Sequence, residues 1–504
     1  MSRDERPFPP GKYDVVVVGS GPGGLQTSYS LRRLGVDHAV LSADAGPGGM
    51  FRRFPLFERL ISWTHEIGDV QHSDSAFEMH DQNSLIADEP RLRALVAEHL
   101  TEGRRRPARE EMEAGLAAFA ERAPVPVRYG CRWEATRRDD RAVVLVTSDG
   151  EYRCRVAVFA IGMTEPWVPA SIPGLALEHH YVNLDGRRSY RGERVVIVGK
   201  RNSAFEVGES LLRRGVRQLT LVSPRPPDLG RLARSPLRPW YLTAYDEHTR
   251  GAPARFVLNA SVAGVERSAD GGYTVRAIEP GASEPLALDA DVVVAATGFR
   301  APLLDLPQLG VATSGDGRSP ALTPLWESAT IPGVCFAGNV TQAAAGLRKH
   351  GVASLSSMVC GFRYNARILA RHIAERLSGI RLPRARLERS AAVPFLIEQL
   401  NTSGALAMQK GYLVHALSLG PDGAFLDEGV VPLEVFLDGS GDGIAAALEF
   451  DRDETIQPVL YRRSAQAVDE IALPPHPLRR YDGPEYVKAV EAAVVPFFSS
   501  ARRA

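Results

Sequence analysis

Cysteine is scarce in this chain: Cys131, Cys154, Cys335 and Cys360 are the only four in 504 residues. So few cannot staple a fold of this length. None forms a CxxC or CxxxxC pair, which excludes a redox-active dithiol. The 12 histidines are scattered without the spacing of a metal site. The adjacent His179 and His180 point in different directions on any regular element, so no metal pair is expected there. No apolar run approaches the ~18 residues that a membrane helix needs. The segment MSRDERPFPPGKYD has no apolar signal region, and SSARRA carries no retention or lipidation signal. The expectation is a soluble, cytoplasmic protein with no membrane partner. An excess of one charge sign is missing too, since Lys+Arg and Asp+Glu are both 60. That balance argues against a nucleic-acid partner. Lysine itself is rare, only Lys12, Lys200, Lys349, Lys410 and Lys488, and the arginine preference fits codon bias in a GC-rich genome.

What the chain has is enough apolar residue, 44%, to build packed cores. At roughly 150 residues per domain its length suggests about three domains. Residues 14–18, DVVVV, read as a strand buried on both faces. Gly19-Ser20-Gly21-Pro22-Gly23-Gly24 follows, then a helix with Leu25, Leu31 and Leu34 on one stripe, then a second strand, HAVLS (38–42). A second copy begins at 194: strand RVVIV, turn Gly199-Lys200-Arg201-Asn202-Ser203-Ala204, a helix ending at Gly215, and strand QLTLV (218–222). RVAVFAIG (155–162), DVVVAATG (291–298) and GVCFAGN (333–339) are further strands ending in small-residue turns, the last before a helix over roughly 351–377. The order predicts an α/β fold in which one Rossmann-like dinucleotide-binding domain is inserted in another. Residues 50–125 form an insertion whose second part, 107–123, is an amphipathic helix with Met112, Leu116 and Phe119 inward. After about 380 short alternating strands and Gly/Asp turns predict an added α+β region over 385–504.

The first turn has the right context for a dinucleotide. Gly19 makes the tight turn, Gly21 lets backbone approach a pyrophosphate, and Gly24 allows close helix packing. The helix N-terminus beyond Pro22 and Gly23 supplies N–H donors and positive dipole. An acid at the end of the second strand usually holds the ribose hydroxyls. This chain has Ser42 there, with Asp44 two residues on, so either Ser42 makes a weaker contact or Asp44 reaches in.

Here the chain resembles the two-dinucleotide-domain flavoproteins, in particular the class B flavin monooxygenases, over roughly 12–380. Gly48-Gly49-Met50-Phe51 is similar to that family's GG-x-[FW] beside FAD. Gly162 and Gly298 end turns that look like its two domain junctions, and Gly338-Asn339 resembles its Gly-Asp at the flavin ribityl chain, here with a neutral amide. Within the superfamily, FRRFPLFERLIS (51–62), HDQNSL (80–85), GKRNSAFE (199–206) and GFRY (361–364) resemble the FAD-dependent oxidoreductase-domain proteins. The linker signature FxGxxxH is not intact, since Pro173-Gly174 precedes His179-His180-Tyr181 without the aromatic-Gly pair.

The resemblance implies FAD in the first unit (1–185 and 299–384) and a nicotinamide dinucleotide in the second (186–298). The second strand of that unit ends in Ser223-Pro224-Arg225 without an acid, which favours NADPH over NADH. Arg201 stands where the middle glycine of the fingerprint is expected. It is either a phosphate ligand, with Lys200, Asn202 and Ser203 beside it, or the sign of a site that no longer binds nicotinamide. The implied activity is a monooxygenase that forms a flavin hydroperoxide and oxygenates a small molecule, at nitrogen or sulfur, with O2 as co-substrate. The alternatives are an oxidoreductase without oxygen insertion and a flavin-binding scaffold for a protein partner. Asp81, Asn83 and Ser84, with His350, are the candidates for lining the reactive pocket, and Trp133 for packing against the adenine or in the core. A homo-oligomer is left open.

Overall fold

The computed structural model describes residues 6–53, 59–64, 75–226, 239–249, 253–344, 354–464 and 467–497. Among them the chain forms two compact units. One draws on Met1–Phe51, Ser62–Met163 and Ala301–Ala504, the other on Arg52–Ile61 and Thr164–Arg300. Among the described residues no helix is long and apolar enough to cross a membrane.

In the first unit the valines of 15–18 are the buried end of the strand Gly11–Val18. A central strand is covered on both faces, so it must be apolar throughout. It runs parallel to His38–Ser42 on one side and Gly150–Phe159 on the other, with Val18 opposite both Leu41 and Phe159. Gly150–Phe159 divides its far edge between two partners. Its first half pairs antiparallel with Ala142–Thr147, and its last residues pair in parallel with the return strand Val334–Phe336. The carboxyl ends of four parallel strands therefore finish side by side, and the crevice beyond such ends is where open α/β sheets bind ligands.

The helix Pro22–Arg33 packs against the helix Val359–Ser378, which stops at Gly379 in the left-handed conformation, φ +69°. This second helix begins later than its apolar pattern suggested. A short turn, Leu355–Ser357, precedes it, and the chain folds back so tightly that a Cβ on Gly361 would lie 2.1 Å from the Leu355 carbonyl oxygen. In the insertion, the helix Arg109–Arg122 buries Met112, Leu116 and Phe119, the stripe its periodicity requires.

The second unit is built on a parallel sheet in the order Ala254–Leu258, Gln218–Ser223, Arg194–Val198, Val292–Ala295. The helix Asn202–Arg213 buries Ala204, Phe205, Val207, Leu211 and Leu212 on one face of this sheet. A three-stranded antiparallel sheet, Ser261–Arg267, Tyr273–Ile278 and Leu286–Ala290, closes the other face over Val196, Val198 and Val293.

Residues 385–497 form a six-stranded antiparallel sheet in the order Ala385–Leu387, Phe425–Pro432, Leu413–Leu419, Gly443–Phe450, Ile456–Arg463, Val468–Ala472. The helices Arg389–Thr402 and Pro484–Val494 cover one face through Leu396, Leu400, Val490 and Val494. The fold is thus two Rossmann-like units, one interrupting the other, with an α+β region. That region shares a compact unit with the first Rossmann fold. Trp326 donates its indole N–H to the Tyr412 hydroxyl at 3.1 Å, and Gln409 donates its amide to Asn365 at 3.0 Å, all of them buried. A buried polar group stripped of its partner costs about 1–3 kcal/mol. Truncation after Arg384 is therefore expected to give a chain without a cooperative thermal transition. Near-UV circular dichroism and a melt of the truncated against the full chain check this, and a soluble truncation that melts cooperatively would show the region dispensable.

Candidate functional site

At the first turn, Gly19 adopts φ +113°, and a Cβ there would lie 2.4 Å from the Ala160 carbonyl oxygen. Gly24 packs its Cα against Gly19, where a Cβ would meet the carbonyl oxygen at 1.9 Å, and a Cβ on Gly23 would lie 2.4 Å from the Cα of Gly338. These three glycines are required by backbone contacts within the chain. Gly21 is different: a Cβ there would meet nothing nearer than the Met50 sulfur at 3.9 Å. Its smallness leaves open space above the N-terminus of Pro22–Arg33, a helix end with no side-chain cap and no acidic residue in its first turn. Uncapped N–H groups at a helix end favour negative charge beside them.

Around this space stand several of the residues expected from the sequence. Ser20 donates its hydroxyl to Ser42 at 2.8 Å, and Ser42 Oγ also accepts the Asp44 amide at 3.2 Å. Ser42 is thus engaged within the turn. Asp44 lies against Gly49, where a Cβ would fall 2.7 Å from the Asp44 carboxyl carbon, and Gly49, Met50 and Phe51 form a short 3-10 turn. From the other side, Gly162 (φ +70°) and Gly338 (φ +78°) bring the two returning strands in, and Asn339 Oδ1 accepts the Met163 amide at 3.0 Å. Trp133 is a packing residue: its ring centroid sits 4.7 Å from that of Phe159, and its N–H is donated to Ala135 O and Thr136 Oγ1.

Asp81, Asn83 and Ser84 are brought together in a buried loop. Asp81 Oδ1 accepts from Thr64 Oγ1 (2.7 Å), Asn83 N (2.8 Å) and Ser84 N (3.0 Å), while among the described residues its Oδ2 has no hydrogen-bond partner. The Asn83 amide is held from both ends, its oxygen by Ser62 Oγ and its nitrogen by Thr64 Oγ1. Ser84 Oγ accepts the Val96 amide at 2.9 Å. Asp81 and Ser84 are therefore engaged in shaping the loop, with Asn83 clamped inside it. His350 lies outside the described residues.

The residue that anchors this loop is Arg363, within the GFRY segment. Fully buried, it donates to the carbonyls of Asp81 (3.0 Å), Ser84 (2.7 Å) and Glu78 (2.8 Å). Burial opposes its charge, yet Tyr364, Glu78 and Asp81 nearby hold its pKa above the ordinary arginine value. Tyr364 donates to Glu78 Oε2 at 2.5 Å, and burial keeps that phenol far above the usual range. In the sequence GFRY carries a resemblance, and its local pattern does not show this role. The available signal was an arginine on an otherwise apolar helical stripe.

At the second turn, Gly199 (φ +149°) needs to be glycine, because a Cβ would lie 2.6 Å from the Ala296 carbonyl oxygen. Arg201 sits at φ −95° in extended backbone, which any residue adopts, so its Cβ fits. It is exposed at an uncapped helix N-terminus, ahead of buried Asn202 and half-buried Ser203. Lys200 Nζ donates to the Pro226 carbonyl at 2.6 Å, which ties the turn to the segment carrying exposed Arg225. The turn thus gathers Lys200, Arg201 and Arg225 around one helix end.

All four cysteines are free and buried. Burial pushes the Cys154 thiol up to about 12 and that of Cys360 to about 11, and raises Cys131 and Cys335 as well. None is a thiolate nucleophile at neutral pH. Among the described residues no group of three His, Cys, Asp or Glu side chains is placed to hold a metal.

Two strand-turn-helix units with glycines fitted to the backbone, and no working thiol, define an oxidoreductase of the two-dinucleotide type. The chain belongs to the pyridine nucleotide-disulphide oxidoreductase family, whose model matches residues 16–338. It is 31% identical over 222 residues to the FAD-dependent oxidoreductase domain-containing protein 2 of Danio rerio, covering 42% of this chain and 31% of the relative. The match thus spans about a third of that relative's length. A ferredoxin–NADP reductase of Salinispora tropica is 28% identical over 341 residues, 65% of this chain and 86% of the reductase. The solved ornithine N-hydroxylase of Kutzneria sp. 744 shares the fold, with a TM-score of 0.55 at 18% identity over 73% of this chain and 100% of that one.

The glycine contacts separate two kinds of substitution. Gly24→Ala forces carbon into a carbonyl oxygen and is expected to lose about 1–3 kcal/mol or more of stability, as overpacking does. Gly21→Ala meets open space and is expected to leave the melting temperature of the cofactor-free chain unchanged. Thermal melts of the two variants after cofactor removal check this.

Proposed function

We propose that the chain is an FAD- and NADPH-dependent monooxygenase that oxygenates a small molecule, with O2 as the second substrate. The observation that carries the reading is the state of the thiols. A family named for disulphide chemistry passes electrons through a dithiol, and here every cysteine is buried, protonated and outside any paired motif. Electrons taken from NADPH would then pass to an acceptor other than a thiol of this chain, and O2 is the acceptor of this reading. The ornithine N-hydroxylase, a nitrogen-oxygenating enzyme on the same fold, supports this choice.

The residues present fit both cofactors. FAD, when bound, accepts hydride and passes electrons to oxygen. Gly21 and the free amides behind it would take its pyrophosphate, since the open space there is what a Cβ would fill. Asp44, beside the engaged Ser42, would be the acid for the ribose. Asn339 Oδ1 accepts the Met163 amide, and its amide N–H groups would serve the flavin. The clamped Asn83 amide and the dry Asp81–Ser84 loop would shield the reactive pocket from water. Lys200, Arg201 and Arg225 would take the NADPH phosphates. A second reading, an NAD(P)H oxidoreductase without oxygen insertion, is favoured by the ferredoxin–NADP reductase similarity.

Gly21→Val is expected to abolish flavin binding, read as the absorbance of the purified protein near the flavin band. A charge-assisted contact to phosphate is worth about 1.5–3 kcal/mol, so Arg201→Ala should raise the apparent NADPH constant about ten- to hundredfold. Arg201→Gly should be milder, because backbone approach compensates. Tighter NADPH binding in Arg201→Gly would make Arg201 a steric gate. The decisive experiment supplies NADPH and labelled O2 with amines and thioethers. Label in an organic product supports the monooxygenase, and full recovery of electrons as peroxide or in an added carrier supports the second reading.

A further inference from the structure

We infer that Gln409, in the C-terminal region, is a positioning residue for the flavin cradle. It holds the return turn at Gly338 against the first glycine turn through a buried relay of side chains. The inference rests on the reading of Gly21–Gly24 and Gly338 as that cradle. Gln409 Nε2 donates to Asn365 Oδ1 at 3.0 Å and to Ser356 Oγ at 3.1 Å. Asn365 Nδ2 donates to Ser356 Oγ at 2.9 Å and to Thr341 Oγ1 at 3.0 Å. Thr341 Oγ1 donates to the Gly338 carbonyl at 2.7 Å. All four side chains are buried. Gly338 is the residue whose Cα occupies the place a Gly23 Cβ would need, at 2.4 Å. Any movement of the return turn is therefore felt at the turn that receives the pyrophosphate.

The polarity of the relay is fixed. Thr341 can give its one proton to Gly338 because Asn365 supplies a donor to its oxygen, and Asn365 is turned that way because Gln409 donates to its carbonyl. Gln409 Oε1, by contrast, is buried without a partner among the described residues. The polar contacts of Gln409 in the relay are therefore made through its donors.

That asymmetry provides the test. In Gln409→Met the orphan Oε1 disappears and Asn365 Oδ1 becomes the orphan, so the cofactor-free chain should melt close to wild type. The FAD dissociation constant, from titration of the deflavinated full chain, should rise about three- to tenfold, the worth of one net hydrogen bond. Gln409→Glu adds a pH signature. Burial raises a carboxyl pKa, so the acid form keeps an O–H to donate to Asn365. FAD affinity in this variant should be near wild type at about pH 6 and fall towards about pH 9 as the donor is lost, while wild type stays flat. Thr341→Val breaks the far end and Thr341→Ser keeps the hydroxyl. The first should weaken FAD binding and the second should not, and this pair carries the test if Gln409→Met fails to fold. Equal FAD affinity across the series, or losses that only track the cofactor-free melting temperature, would overturn the relay. A wild-type chain that takes up no FAD would overturn the cradle reading itself.

Discussion

Backbone approaching backbone without an intervening Cβ is the constraint on which this structure depends. Gly24 lies on the carbonyl of Gly19, Gly19 on that of Ala160, and Gly23 on the Cα of Gly338. Each contact is closer than any side-chain carbon allows. Together they fix how the first helix sits on its sheet and how the strands on either side finish. Because Val18 is level with Leu41 and Phe159, these approaches fall at one end of the sheet, beside an uncapped helix N-terminus. Gly199 against Ala296 repeats the device in the second unit. The sites are consequences of the packing.

Buried polar groups supply the second layer of order. A charge such as that of Arg363 is costly in a protein interior unless its donors are used. Here Nη1 and Nη2 are used on three carbonyls from a stretch some 280 residues earlier, and these bonds hold the loop over Asp81–Ser84, while Nε has no partner among the described residues. The Gln409–Asn365–Thr341 chain does the same for the return turn. Both networks draw on the helix Val359–Ser378, which makes it the common support of the loop and the return turn.

The thiols show how family and chemistry separate. The fold is that of the pyridine nucleotide-disulphide oxidoreductases, yet its cysteines are inert packing residues, with Cys154 between Val16 and Val143 in the sheet. What distinguishes members of such a fold is the acceptor placed opposite the nucleotide, and function is grafted onto the fold locally.

The Rossmann units were legible because their signals are local. A run of valines, a glycine turn and a helical stripe lie within about thirty residues of one another, and Gly19, Gly24 and Gly199 announce close approach by lacking a side chain. Arg201 was legible as a departure, although only the backbone at φ −95° shows why it is tolerated. What no local pattern carries is the partner of a polar side chain far along the chain. Ser42 accepts the Ser20 hydroxyl 2.8 Å away, a contact made 22 residues along the chain. Ser84 accepts the Val96 amide, a contact that its local sequence does not announce, and Arg363 and Gln409 show no task in the sequence. By itself the sequence determined the elements and the class of cofactor cradle, because those follow from periodicity and from the absence of Cβ atoms. The tertiary structure alone decided which polar groups are spent on the protein, because a hydrogen bond is settled by ångström distances between segments that the chain order leaves hundreds of residues apart.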